Sequence, residues 1–378
     1  MQEYLDSDKA KLDSLDQFTK KEATKNESLI MIKADEEHSR SYGTAPNERP
    51  IKEYLKYGYI VLDKPQGPTS HEVVAWVRRI MGTERAGHSG TLDPMVSGVL
   101  PIGLGHATKA LSAMLLGPKE YVAVARIHDS VPSEVLDRAF SNFIGPIYQK
   151  PPQRSSVRRV TRTREIYKID ILQQKGNLIL LKVLCEAGTY IRKLIYDYGE
   201  VLKVGATMAE LRRSRVCQFD EGDLVRLHDL YEAKAVFDES GKDEKLKQVI
   251  KPVEESVGFL KQIRIRDSAV DSICHGAQLA VPGVVALSPG LLKGEIIRLT
   301  TGKGELVALA ESQMDENSVK NTPHGLVALT RRVVMESGTY PKMWKSKKEE
   351  TGTQEVGEEM LKKSLLEKLE TEGDEPSI

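Results

Sequence analysis

One stretch of the chain has residue types and spacing that could do chemistry: Gly87-His88-Ser89-Gly90-Thr91-Leu92-Asp93-Pro94-Met95-Val96-Ser97-Gly98-Val99-Leu100-Pro101. Glycines at 87, 90 and 98 and the Asp93-Pro94 step make it a loop, while Leu92, Val96, Val99 and Leu100 anchor it to a core. A rigid, apolar-backed loop presenting one carboxylate suits a general base or a nucleophile. The plainer alternative is that Asp93 only opens an Asp-Pro turn, the commoner role of that dipeptide. Residue types alone leave both readings open. Familiar cofactor motifs are missing: there is no G-x-x-x-x-G-K-S/T phosphate loop, and Gly103-Leu104-Gly105 opens no G-x-G-x-x-G fingerprint. Thr91 stands where the G-x-S-x-G elbow needs its last glycine. The 8 histidines include no i, i+4 ligand pair, so no metal site is expected.

The elements that must hold this loop can be read on both sides of it. Tyr59 to Asp63 forms a short buried strand running into a Lys64-Pro65-Gln66-Gly67-Pro68 turn. A helix follows, with Thr69 and Glu72 as a capping box, an apolar stripe of Val73, Val74, Val77, Ile80 and Met81, and Gly82 as its close. Ala107 to Leu116 reads as a second helix ending at Gly117. Tyr121 to Ile127 and Leu178 to Leu184 read as strands, the latter leading through a Gly188 turn into a helix from about Ile191 to Leu202. Strands and helices mix without a strict βαβ rhythm, so an α+β fold with a mixed sheet is expected. From Lys261 on, short β-type pieces alternate with Gly and Pro turns, with Thr301-Gly302-Lys303-Gly304 as a hairpin tip; this is a small β-barrel module of about 80 residues. The charged stretch Asp238 to Lys247 before it reads as a surface connector.

Charge decides what such a loop could act on. The 378 residues carry 55 Lys plus Arg and 55 Asp plus Glu, a net charge of zero that at first argues against a nucleic-acid partner. The distribution says otherwise: residues 1–50 carry −3, residues 341–378 carry −3, and the body between them +6. Both ends are polar and nearly free of aromatics, so the acidic extension 1–50 and the tail 339–378 are expected to be flexible or partly disordered. Within the body, Lys150 to Arg164 holds six cations and no acid, with Ser and Thr between arginines and a Pro-Pro start that denies it a helix. An extended basic loop with hydroxyls suits phosphate contact, and Arg212-Arg213-Ser214-Arg215 adds a second knot; the alternative is a solvated face. No run reaches the ~18 apolar residues of a membrane helix. The N-terminus shows no secretory signal, and Cys185, Cys217 and Cys274 lie too far apart for a disulfide framework, which fits a reducing compartment.

The Asp93 loop resembles the G-H-x-G-x-L-D-P catalytic motif of the TruB family of pseudouridine synthases. Lys64-Pro65-Gln66-Gly67-Pro68-Thr69-Ser70, Lys119-Glu120-Tyr121 and Gly188-Thr189-Tyr190-Ile191-Arg192 resemble that family's K-P-x-G-x-T-S, K-x-Y and G-T-Y-I-R segments, in the same order. Pro151-Pro152 through Arg164 resembles its P-P-x-x-S-A-V-x-R loop, with Ser156 where alanine is usual. Ser70 to Val77, Cys185 to Arg192, Asp267 to Val270, His275 to Gly283 and Thr339 to Trp344 are similar to the dyskerin-like, guide-dependent branch found in archaea and eukaryotes. The resemblance covers roughly residues 50–345. It implies a catalytic domain over 51–258 and a PUA RNA-binding domain over 259–338.

The resemblance also implies a chemistry. Uridine is broken at N1–C1′ and rejoined through C5 without redox change, so no cofactor is needed. Asp93 acts at the ribose as nucleophile or base, and Arg192 grips and orients it. Tyr121 stacks on the flipped uracil and moves a proton late, while His88, Tyr190 and Leu211 shape the pocket or its wall. His88 fixes the loop through a hydrogen bond or assists flipping, and Lys64, Lys150, Arg154, Arg158, Arg159 and Arg162 contact RNA backbone. Implied partners are substrate RNA, an H/ACA guide RNA and small core proteins: a zinc-ribbon-like or zinc-free subunit, a glycine/arginine-type β-barrel subunit and a kink-turn-binding protein. A standalone transfer-RNA enzyme and a non-catalytic RNA scaffold are the alternatives, with a small-molecule enzyme further off. The short tail lacks long Lys-rich tracts, which points to a cytoplasmic archaeal-type chain rather than a nucleolar one.

Overall fold

The computed structural model describes residues 29–32, 42–115, 117–151 and 159–343. A two-residue strand, β1 (Ile30–Met31), is the first element. The next ten strands form one sheet: β2 (Gly58–Lys64), β3 (Ala86–His88), β4 (Ser97–Leu104), β5 (Lys119–Ile127), β6 (Gly145–Gln149), β7 (Arg162–Lys175), β8 (Leu178–Cys185), β9 (Ala206–Val216), β10 (Phe219–Asp220) and β11 (Lys251–Pro252). Its order is β11-β2-β4-β9-β5-β8-β7-β6, with β3 beside β4 and β10 beside β9. Every pairing is antiparallel except β4 with β9, which are parallel at Ser97↔Arg212 and Gly98↔Arg213.

The central strands are buried on both faces, which is why they read as unbroken apolar runs. In β2, Ile60 and Leu62 enter the main core while Tyr59 and Val61 pack on the opposite face with Val99, Met114, Val216 and Phe219. The helix α1 (Ser70–Met81) covers the main face, buries Val73, Val77 and Met81, and starts with the expected Thr69–Glu72 capping box. The helix α2 (Ile191–Val201) buries Leu194, Ile195 and Tyr198, whose ring stacks on Phe140. The segment expected as one helix from Ala107 is instead a 3-10 turn, Gly105–Lys109, followed by a single turn of α-helix, Ser112–Leu115. Asp238 to Lys247 lies largely on the surface, as expected, but it is helical at both ends: it spans the end of α3 (Leu227–Ser240) and the start of α4 (Glu244–Val249), whose Leu246 is in the core.

A second sheet takes β12 (Gln262–Ile265), β13 (Leu279–Ala280), β14 (Val284–Leu287), β15 (Ile296–Thr300), β16 (Leu306–Ser312) and β17 (Leu326–Val333), in the order β1-β14-β12-β15-β16-β17-β13. Register shifts at Arg264/Ile265, Leu299/Thr300 and Leu309/Ala310 bend these strands around one core of Ile263, Val270, Leu299, Val307 and Val327. The N-terminal segment expected to be flexible departs from that reading at its described residues. Ile30 and Met31 pair with Leu287 and Ala286, and the Thr44 amide donates to Glu305 (2.9 Å). Beyond the second sheet, Tyr340 is buried and its hydroxyl donates to the same Glu305 (2.6 Å). Composition misses these contacts because a few apolar or hydrogen-bonding residues suffice to dock a segment on an existing sheet edge.

The parallel contact between β4 and β9 leaves no room for a side chain at Gly98. Its φ is +105°, and a Cβ there would lie 2.2 Å from the Arg213 carbonyl oxygen. Gly67 has nearly the same φ, +106°, but opens into free space. Gly67→Ala is therefore expected to cost about 1 kcal/mol of backbone strain, and Gly98→Ala about 3 kcal/mol or more from strain plus backbone overlap. Chemical denaturation of the two variants checks the difference; equal losses would show that the β4–β9 approach is not tight.

Candidate active site

Asp93 lies in the loop between β3 and β4 and is held from behind by buried donors. Lys64, at the end of β2, is fully buried, and its ammonium donates to the carbonyls of Pro65 (2.9 Å), Pro94 (3.2 Å) and Val96 (2.9 Å). Ser70, the first residue of α1, is also fully buried; its hydroxyl donates to the Leu92 carbonyl (3.0 Å) and accepts from the Leu92 amide (2.9 Å). The Gly67 amide donates to Pro94 (2.9 Å), and Leu92 and Val96 point into the core. The Asp93 carboxylate faces out, with Thr91, Pro94 and Met95 exposed beside it. Burial pushes the Lys64 ammonium below its ordinary range, and the nearby Asp93 charge opposes that.

Across the opening, Arg192 projects from the first turn of α2 and places its Nη2 2.7 Å from Asp93 Oδ2. The partners are 55% and 56% exposed, so screening leaves their Coulomb energy small; the pairing serves geometry, not stability. Its anchor is Gln149, a residue the sequence reading passed over. Buried at the end of β6, it accepts from the Tyr190 amide (2.9 Å) and donates to the Tyr190 carbonyl (3.1 Å). The residue before α2 is thus held as it would be by a neighbouring strand. No polypeptide spacing signals a contact 41 residues apart.

Tyr121 stands on β5, partly buried against the main core and directly opposite Arg213 on β9. Burial raises the phenol above its ordinary range, Arg213 pulls it back, and Asp93 is near enough to add to the rise. Lys119 begins the same strand, buried, and caps the carbonyls of Met114, Leu115 and Gly117; burial pushes its ammonium down to about 8. His88 is on β3, with the His71 ring edge-on at 5.3 Å. Burial, His71 and Arg213 push it down to about 4, so its ring is neutral through the physiological range. The hydrogen bond expected to fix the loop is not made by its Nδ1, which is buried with no partner among the described residues. Tyr190 is half-buried beside the opening, and Leu211 is a core residue, 8% exposed.

The basic residues divide. Lys150, Arg159 and Arg162 are exposed, Arg159 closing its loop on the Pro151 carbonyl (3.1 Å). Arg162 and Arg164 line a cleft of about 90 Å³ with Gln149, Gly188 and Tyr190, next to the Asp93–Arg192 opening. Arg154 and Arg158 lie outside the described residues. Lys64 does not reach RNA backbone, because its charge is spent on carbonyls inside the fold. The second knot is corrected too: Arg212 is paired with Asp63 (2.9 Å) and Glu221 (2.5 Å), and Arg213 is 1% exposed. A run of arginines on a central strand alternates into the interior, which a one-dimensional charge run conceals.

Comparison with known proteins places the chain in a family. Residues 78–191 match the TruB family pseudouridylate synthase (N terminal domain), and residues 192–258 the tRNA pseudouridylate synthase B C-terminal domain. A Methanopyrus kandleri protein named "Probable tRNA pseudouridine synthase B" is 50% identical over 315 residues, 83% of this chain and 93% of its own length. The chain belongs to the TruB family. This TruB-family chain is thus a pseudouridine synthase, an RNA isomerase. Residues 261–334 match the PUA domain, and residues 21–74 the DKCLD domain, so the family likeness begins well before residue 50. Among solved structures, two that cover 85% of the chain are informative. One, titled as an H/ACA RNP bound to a substrate RNA containing 2'-deoxyuridine, is 41% identical with a TM-score of 0.77 over 99% of its chain. The other, a Cbf5-Nop10-Gar1 complex, is 42% identical with a TM-score of 0.78 over 98% of its chain. Among the described residues no helix is long and apolar enough to cross a membrane.

The buried position of Lys64 separates two outcomes. Lys64→Met is expected to cost about 3 kcal/mol of stability, because three carbonyls lose a charged donor, while the salt dependence of RNA binding stays unchanged. A phosphate contact would do the reverse, leaving stability intact and flattening the salt slope by about one ion. Unfolding curves and a salt titration of RNA affinity distinguish them.

Proposed function

We propose that this chain is the catalytic subunit of an H/ACA-type guide ribonucleoprotein that converts chosen uridines of ribosomal or transfer RNA to pseudouridine. The observation that carries the reading is the Asp93–Arg192 pair, a carboxylate on a rigid loop gripped at an open mouth, in a chain that aligns with nearly the whole of a Cbf5 chain. In this reading a uridine flipped from its strand enters the mouth, and Asp93 acts at C1′ as nucleophile or takes a sugar proton. Arg192 keeps the carboxylate aimed. Tyr121 lies under the uracil face while the base turns from N1 to C5, and its hydroxyl is placed for the late proton. Tyr190 and the neutral His88 shape the pocket. Lys150, Arg159 and Arg162 take backbone phosphates, with Arg154 and Arg158 between them in sequence. The open site supports this sequence of events, since a base must displace water from the exposed pair before it can react.

Guide RNA and small partner proteins like the Nop10 and Gar1 of the similar complex complete the assembly in this reading, and its setting is the cytoplasm, in keeping with a tail that lacks long Lys-rich tracts. The second reading is a standalone transfer-RNA enzyme, favoured by the name the curated relatives carry.

Asp93→Asn is expected to lower turnover by about 10³-fold or more while RNA affinity stays within about threefold, because charge is lost at the reacting centre and not at a phosphate contact. Quantifying the rearranged nucleoside after nuclease digestion measures this, and retained turnover would sink the assignment. The two settings separate by adding guide RNA and the small subunits. Product at guide-complementary uridines only when they are present supports the guided reading; equal turnover of bare transfer RNA supports the standalone one.

A further inference from the structure

We infer that Arg213 is the positioning residue that sets Asp93 and Tyr121 in register with each other, although its side chain is closed to solvent; the inference rests on the catalytic reading of those two residues. Arg213 sits on β9 between the strand that leaves the Asp93 loop and the strand that carries Tyr121. Its backbone is opposite Gly98 on β4 and opposite Tyr121 on β5. From there its Nε donates to the Val99 carbonyl (2.8 Å) and its Nη2 to the Gly90 carbonyl (3.3 Å). Those two carbonyls bracket Asp93, one on each side of the loop. The same guanidinium belongs to the cross-strand neighbour of Tyr121, whose phenol is near enough to support its charge.

Three features make this more than a core contact. None of these partners is a carboxylate, so the charge is buried without a counter-ion, a placement that a Met or Leu of similar volume would avoid. Burial accordingly lowers the guanidinium from its ordinary range, while the Tyr121 hydroxyl supports its charge. The planar fork spans acceptors lying in different directions, which an ammonium on a flexible stem cannot do. Finally, its reach covers both candidate catalytic groups, one through the loop backbone and one through the phenol. A shift of either by about 1 Å against the other is enough to cost on the order of 10² in rate.

The test uses the full chain under whichever condition, guided or unguided, gives wild-type turnover, with single-turnover rate, RNA affinity and thermal unfolding read in parallel. Arg213→Gln is expected to slow the single-turnover rate by about 10²-fold at RNA affinity within about threefold, and Arg213→Lys to recover part of that loss. The double variant Arg213→Gln/Tyr121→Phe should be about as slow as the slower single variant, because both act on one element. A merely structural arginine would lower the unfolding temperature and leave the rate of the folded fraction intact. If Arg213→Gln does not fold, Arg213→Lys decides: a tenfold slower rate at wild-type affinity supports the role, and a wild-type rate overturns it. Multiplying rate losses in the double variant would overturn it as well. Asp93→Asn, run alongside, keeps the failures apart, since an active Asp93→Asn defeats the catalytic reading itself, whereas an inactive one beside a wild-type-like Arg213→Gln defeats only the strut.

Discussion

Two buried cations, Lys64 and Arg213, and one buried hydroxyl, Ser70, hold the loop of Asp93 by its backbone. Such a loop has carbonyls that no sheet ladder satisfies, and leaving them bare in the interior would cost about 1–3 kcal/mol each. Meeting them with charged donors satisfies the backbone and leaves the carboxylate nowhere to relax except outward. The surrounding elements follow from that need. The strand β2 ends at Lys64, α1 begins at Ser70, and the parallel contact of β4 with β9 sets Arg213 beside the loop. Gly98 is the residue that lets those two strands approach.

The opposite wall is built differently. Arg192 and Tyr190 belong to a helix start held by Gln149 from a remote strand, and the Asp93–Arg192 pair that closes the site is half open to water. One wall is held by buried donors; the other is open to solvent at its ion pair. That asymmetry suits a substrate that arrives as a base swung out of an RNA strand, since the open side can admit it while the carboxylate keeps its place.

A second polar joint ties the two sheets together. Arg49 makes a bidentate pair with Glu254 (2.7 and 3.1 Å) and lies over the Tyr57 ring, and Glu254 also accepts the Leu306 amide of β16 (2.9 Å). Glu305 beside it collects Thr44, Thr301 and Tyr340. With the apolar contact of Ala107, Ala110, Val253, Val257, Leu306 and Leu309, the joint fixes the PUA module against the catalytic sheet. An acidic, polar N-terminal stretch thereby contributes a strand and several hydrogen bonds to a module more than 200 residues downstream.

Much of this was legible in the sequence, and the boundary has a physical cause. Local rules were enough for the α+β class, the capped helix from Ser70, the strands around Tyr59 and Tyr121, and the loop that carries Asp93. Each depends on residues a few positions apart. Motif order identified the family and the pairing of Asp93 with Arg192. What the sequence could not decide was which cations face water. Lys64 and Arg213 read as surface charge, yet each is buried with its donors on carbonyls that only folding brings near. Charge type is set by the residue. Whether that charge meets phosphate or backbone is set by the strand neighbours, and those are chosen by tertiary pairing across more than a hundred residues.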